Sequence, residues 1–349
     1  MKLVLAPMEG LADAPMRALL TSMGGYDWCV SEFIRVNDTL LPARVFRRYV
    51  PEADNGFRTP AGTPVHVQLL GSDPVAVAEN AAVAASLGAP AIDLNFGCPA
   101  KTVNRHRGGA VLLDEPELLY RIVSAVRRAV PAGIPVSAKM RLGYRDRSRM
   151  LDNARGMVEA GAGWLTVHAR TKEDGYRPPA YWHEIARLRE VTGTMPVIAN
   201  GEVWTVDDHA RCRAESGCDD VMLGRGAVAS PGLALAITGR ARGGSEELPR
   251  WSALAELQCE FVRAPDVGED AATGRYKGWL AFLARTYIEA AALLPVVRRM
   301  RTRAEVMDAI RASCAGERRS AVRGDADQGA GAAAASAAGA ADCSAGCAN

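Results

Sequence analysis

The chain has 349 residues, of which 48% are hydrophobic and 23% are charged, and its formal net charge is +2. These values are ordinary for a globular protein, and they exclude a collagen, a coiled-coil rod and a mostly disordered chain. No apolar run approaches the roughly 18 residues that a membrane helix needs. The first residues, MKLVLAPMEG, lack the long apolar core of a signal peptide, so we expect a cytoplasmic protein with no membrane partner.

Short apolar runs alternate with Ala/Leu/Val-rich amphipathic segments through the first 240 residues. The predicted strands are 3–6, 28–30, 65–69, 91–94, 136–140, 164–167, 196–199 and 221–223. The clearest predicted helices are 74–87, 116–130, 151–160 and 206–216. Alternation of strand and helix is typical of a parallel sheet. Eight such units favour a closed TIM (β/α)8 barrel over an open sheet, and no GxGxxG follows the first strand.

The pattern changes near residue 243, which divides the chain into three predicted parts. Residues 1–243 form the barrel, and 244–317 form a small all-helical domain. One helix of that domain carries Tyr276, Trp279, Leu280, Leu283 and Tyr287 as an apolar stripe. Residues 318–349 are rich in Ala and Gly and have no large apolar side chains, so we predict a disordered tail.

Eight cysteines are scattered along the chain, and none belongs to a CxxC pair or to a Cys/His cluster with zinc spacing. We therefore predict reduced thiols and no metal site. In a TIM barrel the active site lies at the C-terminal ends of the strands. Here almost every predicted strand ends in a polar group, which indicates a functional rim rather than packing.

The ends of the last two strands resemble a phosphate site. Asn200, Gly201 and Glu202 follow the seventh strand, and Gly224 and Arg225 follow the eighth. Small residues allow backbone N–H groups to approach a phosphate, and an arginine adds a fixed charge. Such a site suits a sugar phosphate, a nucleotide or FMN, although two tight turns would use the same glycines.

Three further side chains favour a flavin at the barrel mouth. Lys139 provides a cation that could hold a reduced flavin, and His168 projects from the next strand. Gln68 can both donate to and accept from the imide edge of the ring. Singly, Lys139 or His168 is more often a salt-bridging or core residue, but together on one rim they indicate a ligand.

Cys98 follows the fourth strand in the tight loop Asn95-Phe96-Gly97-Cys98-Pro99. A cysteine there is positioned to act on a ligand above the barrel, as a nucleophile or a proton donor.

Several motifs together resemble the tRNA-dihydrouridine synthases. They are LAPMEG, SEFIRV, VQLLGSDP, DLNFGCPAKTVNRHRGGA, KMRLG, VHARTKEDGY, PVIANGEV and VMLGRGA, and the likeness covers about residues 1–311. APMEG, EFIRV and RYKGWL are similar to the bacterial C subfamily, which modifies position 16 of the D-loop. The resemblance implies an FMN-binding barrel and a helical tRNA-binding domain, and reduction of the uridine 5,6 double bond by NADPH or NADH.

Motif by motif, the resemblance also implies roles for particular residues. Cys98 would be the proton donor to C5 of uracil. Flavin contacts would come from Pro7, Met8, Glu9, Gln68, Lys139, His168, Asn200, Gly201, Glu202, Gly224 and Arg225. Contacts to tRNA would come from Arg35, Asn95, Tyr176, Arg275, Lys277, Phe282 and Arg298. The segment 271–311 has eight Arg or Lys against three Asp or Glu, which favours RNA binding.

Two departures and two rival functions qualify the resemblance. Arg105, His106 and Arg107 stand where the family has small residues, and Phe282 stands where a tyrosine is expected. One rival is an FMN barrel oxidoreductase acting on free pyrimidines, which would not need the basic helices. The other is a non-catalytic tRNA-binding flavoprotein. We expect a monomer.

Overall fold

The computed structural model describes residues 1–241, 244, 247–264 and 268–314. The chain divides into a first unit, Met1–Pro249, and a second unit that begins at Arg250. This division lies six residues after the predicted boundary at 243, because Pro249 still packs against Gly232 of the first unit. The predicted tail, 318–349, lies outside the described residues. Among the helices described, none combines the length and apolar surface that a bilayer crossing requires.

The first unit is a closed barrel of parallel strands, as predicted. Its strands are β1 (Leu3–Leu5), β2 (Trp28–Val30), β3 (Ile34–Arg35), β4 (Val65–Leu70), β5 (Ile92–Phe96), β6 (Val136–Gly143), β7 (Leu165–Thr171), β8 (Val197–Asn200) and β9 (Asp220–Leu223). Pairing of β1 with β9 and of β2 with β4 closes an eight-stranded ring. The two-residue β3 was not predicted, and it pairs with the end of β4.

Helices surround the barrel and follow its strands. They are α1 (Ala14–Ser22), α2 (Ala43–Tyr49), α3 (Pro74–Ser86), α4 (Lys101–Arg105), α5 (Pro116–Ala129), α6 (Met150–Glu159), α7 (Trp182–Ala186), α8 (Arg189–Thr192), α9 (Val206–Ser216), α10 (Arg225–Ala229) and α11 (Leu233–Ala241). Short 3-10 turns occupy Pro51–Asn55 and Gly109–Asp114. Local signals set several ends: Thr205 and Asp208 form a capping box on α9, and Gly217 ends it at a φ of 65°.

The barrel interior changes from apolar to polar along the strands. One layer is the buried cluster Val4, Ala6, Val30, Ile198 and Met222, with Trp28 and Trp164 packed against it. Towards the C-terminal ends of β4 to β8, the buried side chains include the polar ones of Gln68, Asn95, Arg141, His168 and Asn200. The candidate functional site therefore lies at the C-terminal end of the barrel, where the fold class predicts it.

The second unit is helical in its described residues. Its helices are α12 (Trp251–Arg263), α13 (Glu269–Leu283), α14 (Ile288–Val297) and α15 (Arg303–Ser313). The predicted apolar stripe is buried, with Tyr276 and Leu280 at 0% exposure. It does not lie on one helix, however, because α13 ends at Leu283 and Tyr287 is the N-cap of α14.

Candidate active site at the barrel mouth

The loop that carries Cys98 is held from beneath by Asn95. The Oδ1 atom of Asn95 accepts hydrogen bonds from the backbone N–H groups of Gly97 and Cys98, both at 2.9 Å. The Cys98 carbonyl accepts from Asn104 Nδ2 at 2.9 Å and from the Ala110 N–H at 3.0 Å. Cys98 is 9% exposed and packs with Leu70 and Val103, so the residue is largely buried within a fixed loop.

Gly109 explains why a glycine follows this loop. Its φ is +66°, and a Cβ there would lie 2.8 Å from the Cys98 carbonyl oxygen and 3.0 Å from Cys98 Cβ. A side chain at this position would push the Cys98 loop out of place.

A chain of buried hydrogen bonds joins Gln68 to this loop. Gln68 Nε2 donates to Asp93 Oδ2 at 2.6 Å, and Gln68 Oε1 accepts from Asn95 Nδ2 at 2.8 Å. Ser137 donates to the other oxygen of Asp93 at 2.6 Å. Because Asp93 is acceptor-only when it is ionised, the amide orientation of Gln68 is fixed. Gln68 keeps one N–H and one lone pair for a ligand.

Lys139 and His168 project from the middle of longer strands than predicted, since β6 and β7 continue past them to Gly143 and Thr171. Burial and the neighbouring guanidinium of Arg141 lower the pKa of Lys139 to about 8. Burial also holds the pKa of His168 well below its usual range, and four cations add to this effect: Arg141, Lys139, Arg170 and Arg225. A neutral His168 therefore lies within a ring of positive charge.

Glu202 forms ion pairs with two of these cations, Arg225 and Arg170. Its Oε1 accepts from Arg225 at 2.8 Å and from Arg170 at 3.2 Å, and its Oε2 accepts from Trp204 Nε1 at 3.2 Å. Arg170 is completely buried, yet its Nη2 atom has no hydrogen-bond partner within the described residues. Two guanidinium groups around one carboxylate leave a net positive charge, which suits an anionic group such as a phosphate.

Close packing explains Gly201 in the same cluster. It has a φ of +116°, and a Cβ there would lie 2.7 Å from His168 Cδ2. Asn200, the last residue of β8, donates to the Met222 carbonyl at 2.9 Å and so ties β8 to β9.

Arg141 joins two loops across the mouth. It is 2% exposed and donates to the carbonyls of Gly97 at 2.8 Å, Thr171 at 2.9 Å and Gly175 at 3.1 Å. Its guanidinium also lies 5.3 Å from the ring centroid of Tyr176. Arg141 therefore connects the Cys98 loop to the loop that follows β7.

The segment after β1 completes the mouth. Glu32 accepts from the Gly10 N–H at 2.6 Å and so fixes the turn that contains Pro7, Met8 and Glu9. A Cβ on Gly224 would lie 3.7 Å from Met8 Sδ, which brings this turn to the end of β9. Partial burial raises the pKa of Glu9, and the charge of Arg35 opposes the rise.

The predicted tRNA-contacting residues of the barrel differ in their surroundings. Tyr176 is 49% exposed, and its ring centroid lies 4.5 Å from the Arg225 guanidinium and 6.1 Å from the His168 ring. Arg35 is half-buried on β3. Asn95 is 8% exposed and holds Gln68 and the Cys98 loop, so the contacts observed for it are internal. Its contact with tRNA stays a prediction.

The predicted tRNA-contacting residues of the second unit lie on or beside α13 and α14. The Arg275 guanidinium lies 4.8 Å from the ring centroid of Phe261. Lys277 Nζ donates to the Met300 carbonyl at 2.7 Å, so it also joins α13 to the segment between α14 and α15. Phe282 is half-buried and Arg298 is exposed.

Comparison with known proteins identifies the family. The sequence profile of the dihydrouridine synthases (Dus) matches residues 4–264. The chain belongs to the dihydrouridine synthase family. It is 57% identical over 301 residues to the tRNA-dihydrouridine(16) synthase of Aquipseudomonas alcaligenes, covering 86% of this chain and 95% of that protein. The protein of the same name from Pseudomonas syringae pv. tomato is 55% identical over 302 residues, with the same two coverages.

The barrel also resembles a solved structure outside the dihydrouridine synthases. Histamine dehydrogenase from Rhizobium sp. 4-9 superposes with a TM-score of 0.53 and 13% sequence identity, covering 74% of this chain and 48% of that chain. At this identity the likeness concerns the fold, and it agrees with the TIM barrel seen here.

Sequence reasoning counted Arg141 among the polar strand ends without giving it a role at the site, and it did not single out Arg170. Each stands two positions beyond a predicted site residue, Lys139 or His168, on the same face of its strand. That spacing was the signal that could have found them. Among the described residues, no group of three or more His, Cys, Asp or Glu is placed to hold a metal ion.

Proposed function

We propose that this dihydrouridine synthase reduces the 5,6 double bond of uridine 16 in the D-loop of tRNA, in the cytoplasm, with FMN as cofactor and NADPH as reductant. The observation that carries the proposal is the family membership, together with the Cys98 loop held at a cationic, polar barrel mouth. The relatives at 57% and 55% identity bear the name tRNA-dihydrouridine(16) synthase.

The residues present fit FMN. Arg170, with its unpartnered buried Nη2, and Arg225 would hold the phosphate, while Glu202 keeps both guanidinium groups in place. Gln68 and Lys139 would hold the ring, because Gln68 retains a donor and an acceptor and Lys139 is a half-buried cation. The remaining proposed cofactor contacts are Pro7, Met8, Glu9, His168, Asn200, Gly201 and Gly224. FMN, when bound and reduced by NADPH, supplies the hydride that uracil accepts at C6.

Cys98 would supply the proton. Its Sγ–H bond breaks as C5 of uracil is protonated, which leaves a thiolate. The nearby cations Lys139 and Arg141 stabilise that negative charge, because Coulombic attraction is strong in a site largely closed to water. Asn95 and Asn104 hold the backbone of the loop that carries this thiol.

The target base must leave its stack to enter the mouth, as for other enzymes that act on a base. Loop nucleotides such as those of the D-loop are the easiest to extract. We assign Arg35, Asn95 and Tyr176 to the nucleotide at the mouth, and Arg275, Lys277, Phe282 and Arg298 to tRNA binding by the helical unit. Every proposed catalytic and cofactor residue belongs to one barrel, and we propose a monomer as the active form.

Two rival functions predict different products. An oxidoreductase for free pyrimidines would act on uracil or dihydroorotate without tRNA, and a non-catalytic flavoprotein would form no product. Mapping dihydrouridine in tRNA from a strain that lacks the gene separates them. We expect position 16 to lose dihydrouridine and to regain it with the wild-type gene but not with Cys98→Ala. Unchanged dihydrouridine at every position would contradict the proposal.

A further inference from the structure

The segment that follows Cys98 carries an excess of positive charge. Residues 99–108 contain Lys101, Arg105, His106 and Arg107 and no acidic residue. Lys101, Arg105 and His106 are exposed. Within the part of the chain that the structure describes, none of these three makes an ion pair or a side-chain hydrogen bond. The charges of Lys101 and Arg105 are therefore available to a partner.

The buried face of α4, the helix that carries Lys101 and Arg105, packs against the Cys98 loop. Val103 is 3% exposed and packs in one cluster with Cys98 and Leu70. Asn104 donates to the Cys98 carbonyl at 2.9 Å and to the Ala100 carbonyl at 2.8 Å, and its Oδ1 accepts from the Val111 N–H at 2.7 Å. The helix thus has a fixed position beside the thiol.

Lys101 and Arg105 lie four positions apart on α4, which places them on one face of the helix. Because the opposite face packs on the Cys98 loop, the backbone of both residues has a fixed position at the C-terminal end of the barrel. Arg107 differs from them, because its Nη2 atom contacts both oxygens of Glu115, at 2.7 and 2.8 Å. Its charge is compensated, and it anchors the end of the loop.

We propose that Lys101 and Arg105 form a phosphodiester-binding site that holds the tRNA backbone beside the nucleotide entering the mouth. This inference rests on the proposed function, and it specifies one surface of the protein that contacts the tRNA substrate. Extracting a base costs a few kcal/mol in unstacking, on the order of what phosphate contacts and counterion release can offset. Two uncompensated cations fixed beside the reacting thiol suit that role, and His106 adds a further donor at the same rim.

The test measures tRNA affinity across a salt series for the full-length FMN protein without NADPH, using an unmodified tRNA transcript. Lys101→Ala and Arg105→Ala should each make the slope of log K against log salt shallower by about 0.7–0.9, the contribution of one phosphate contact. Arg105→Glu should change the slope more than Arg105→Ala. Thermal unfolding curves establish that each variant is folded.

Arg128→Ala is the matched control. Arg128 is an exposed arginine of the same unit, but it lies in the last turn of α5, which leads into the start of β6 at the end of the barrel opposite the mouth. Its slope should equal that of the wild type. The inference is overturned if Lys101→Ala and Arg105→Ala also match the wild type while the wild type forms dihydrouridine. A wild type that forms no dihydrouridine in tRNA would instead overturn the proposed function.

Discussion

Replacing Arg141 by lysine tests whether the two loops at the mouth must be held together. Arg141 reaches three carbonyls on two loops, whereas the single nitrogen of a lysine cannot span them. A hydrogen bond to a charged group contributes roughly 1.5–3 kcal/mol, so losing two weakens the connection by about 3 kcal/mol or more. If that energy positions Cys98 and Tyr176 over the base, Arg141→Lys should lower the rate of dihydrouridine formation by about 100-fold.

The assay separates the two half-reactions of the enzyme. Stopped-flow bleaching of the flavin by NADPH should change by no more than a few fold, because that step does not need the Cys98 loop. Arg127→Lys is the control, since Arg127 also donates to three carbonyls, those of Val130, Pro131 and Ile134, but at the opposite end of the barrel. If both variants lose the same fraction of turnover, Arg141 acts only through stability and the reasoning is refuted.

Three further predictions concern the cofactor, pH and RNA. Arg225→Ala should weaken FMN binding about 10- to 150-fold, because a charge-assisted phosphate contact contributes roughly 1.5–3 kcal/mol. Equilibrium dialysis measures this affinity, and an unchanged value would show that Arg225 is not part of the cofactor site. Burial lowers the pKa of His66 in the folded protein to about 4. As the pH falls below the ordinary pKa of histidine, His66 is therefore protonated in the unfolded chain before it is protonated in the folded one. His66 should therefore lower the free energy of unfolding by about 2 kcal/mol as the pH falls from about 7 to about 5. Denaturant titrations should show a smaller loss of stability over this range for His66→Phe, and an equal loss in both proteins would contradict the reasoning. Phe282→Ala should weaken tRNA binding by roughly 1–3 kcal/mol with little change in salt slope if the ring stacks on a base, whereas Arg298→Ala should make the slope shallower. If both variants match the wild type, Phe282 and Arg298 are not part of the tRNA site.

The barrel was predictable because its strands are short apolar runs between amphipathic helices. The predicted strands ended too early at β6 and β7, because Arg141 and Arg170 continue the strands with buried charges that an apolar pattern does not include. The two-residue β3 was missed because it exists only through its pairing with the end of β4.

The candidate site was predictable where polar residues follow strands, and less so where function depends on distant partners. Arg141 bonds to Gly97, 44 positions away, and Arg170 bonds to Glu202, 32 positions away. No local sequence pattern predicts either of these contacts. The internal contacts of Asn95 and Lys277 were likewise invisible, because they depend on Gln68 and Met300 being brought close by the fold.

The most direct test of the central claim is one turnover of the reduced enzyme on tRNA with Cys98 replaced by alanine. The flavin is reduced with NADPH, unmodified tRNA is added, and dihydrouridine at position 16 is measured with time. We predict that Cys98→Ala still binds FMN and is reduced, but forms product about 10²–10⁴-fold more slowly, the usual effect of losing a positioned proton donor. Cys218→Ala, which removes a similarly buried thiol just before β9, should match the wild type. Product formation by Cys98→Ala at the wild-type rate would contradict the account.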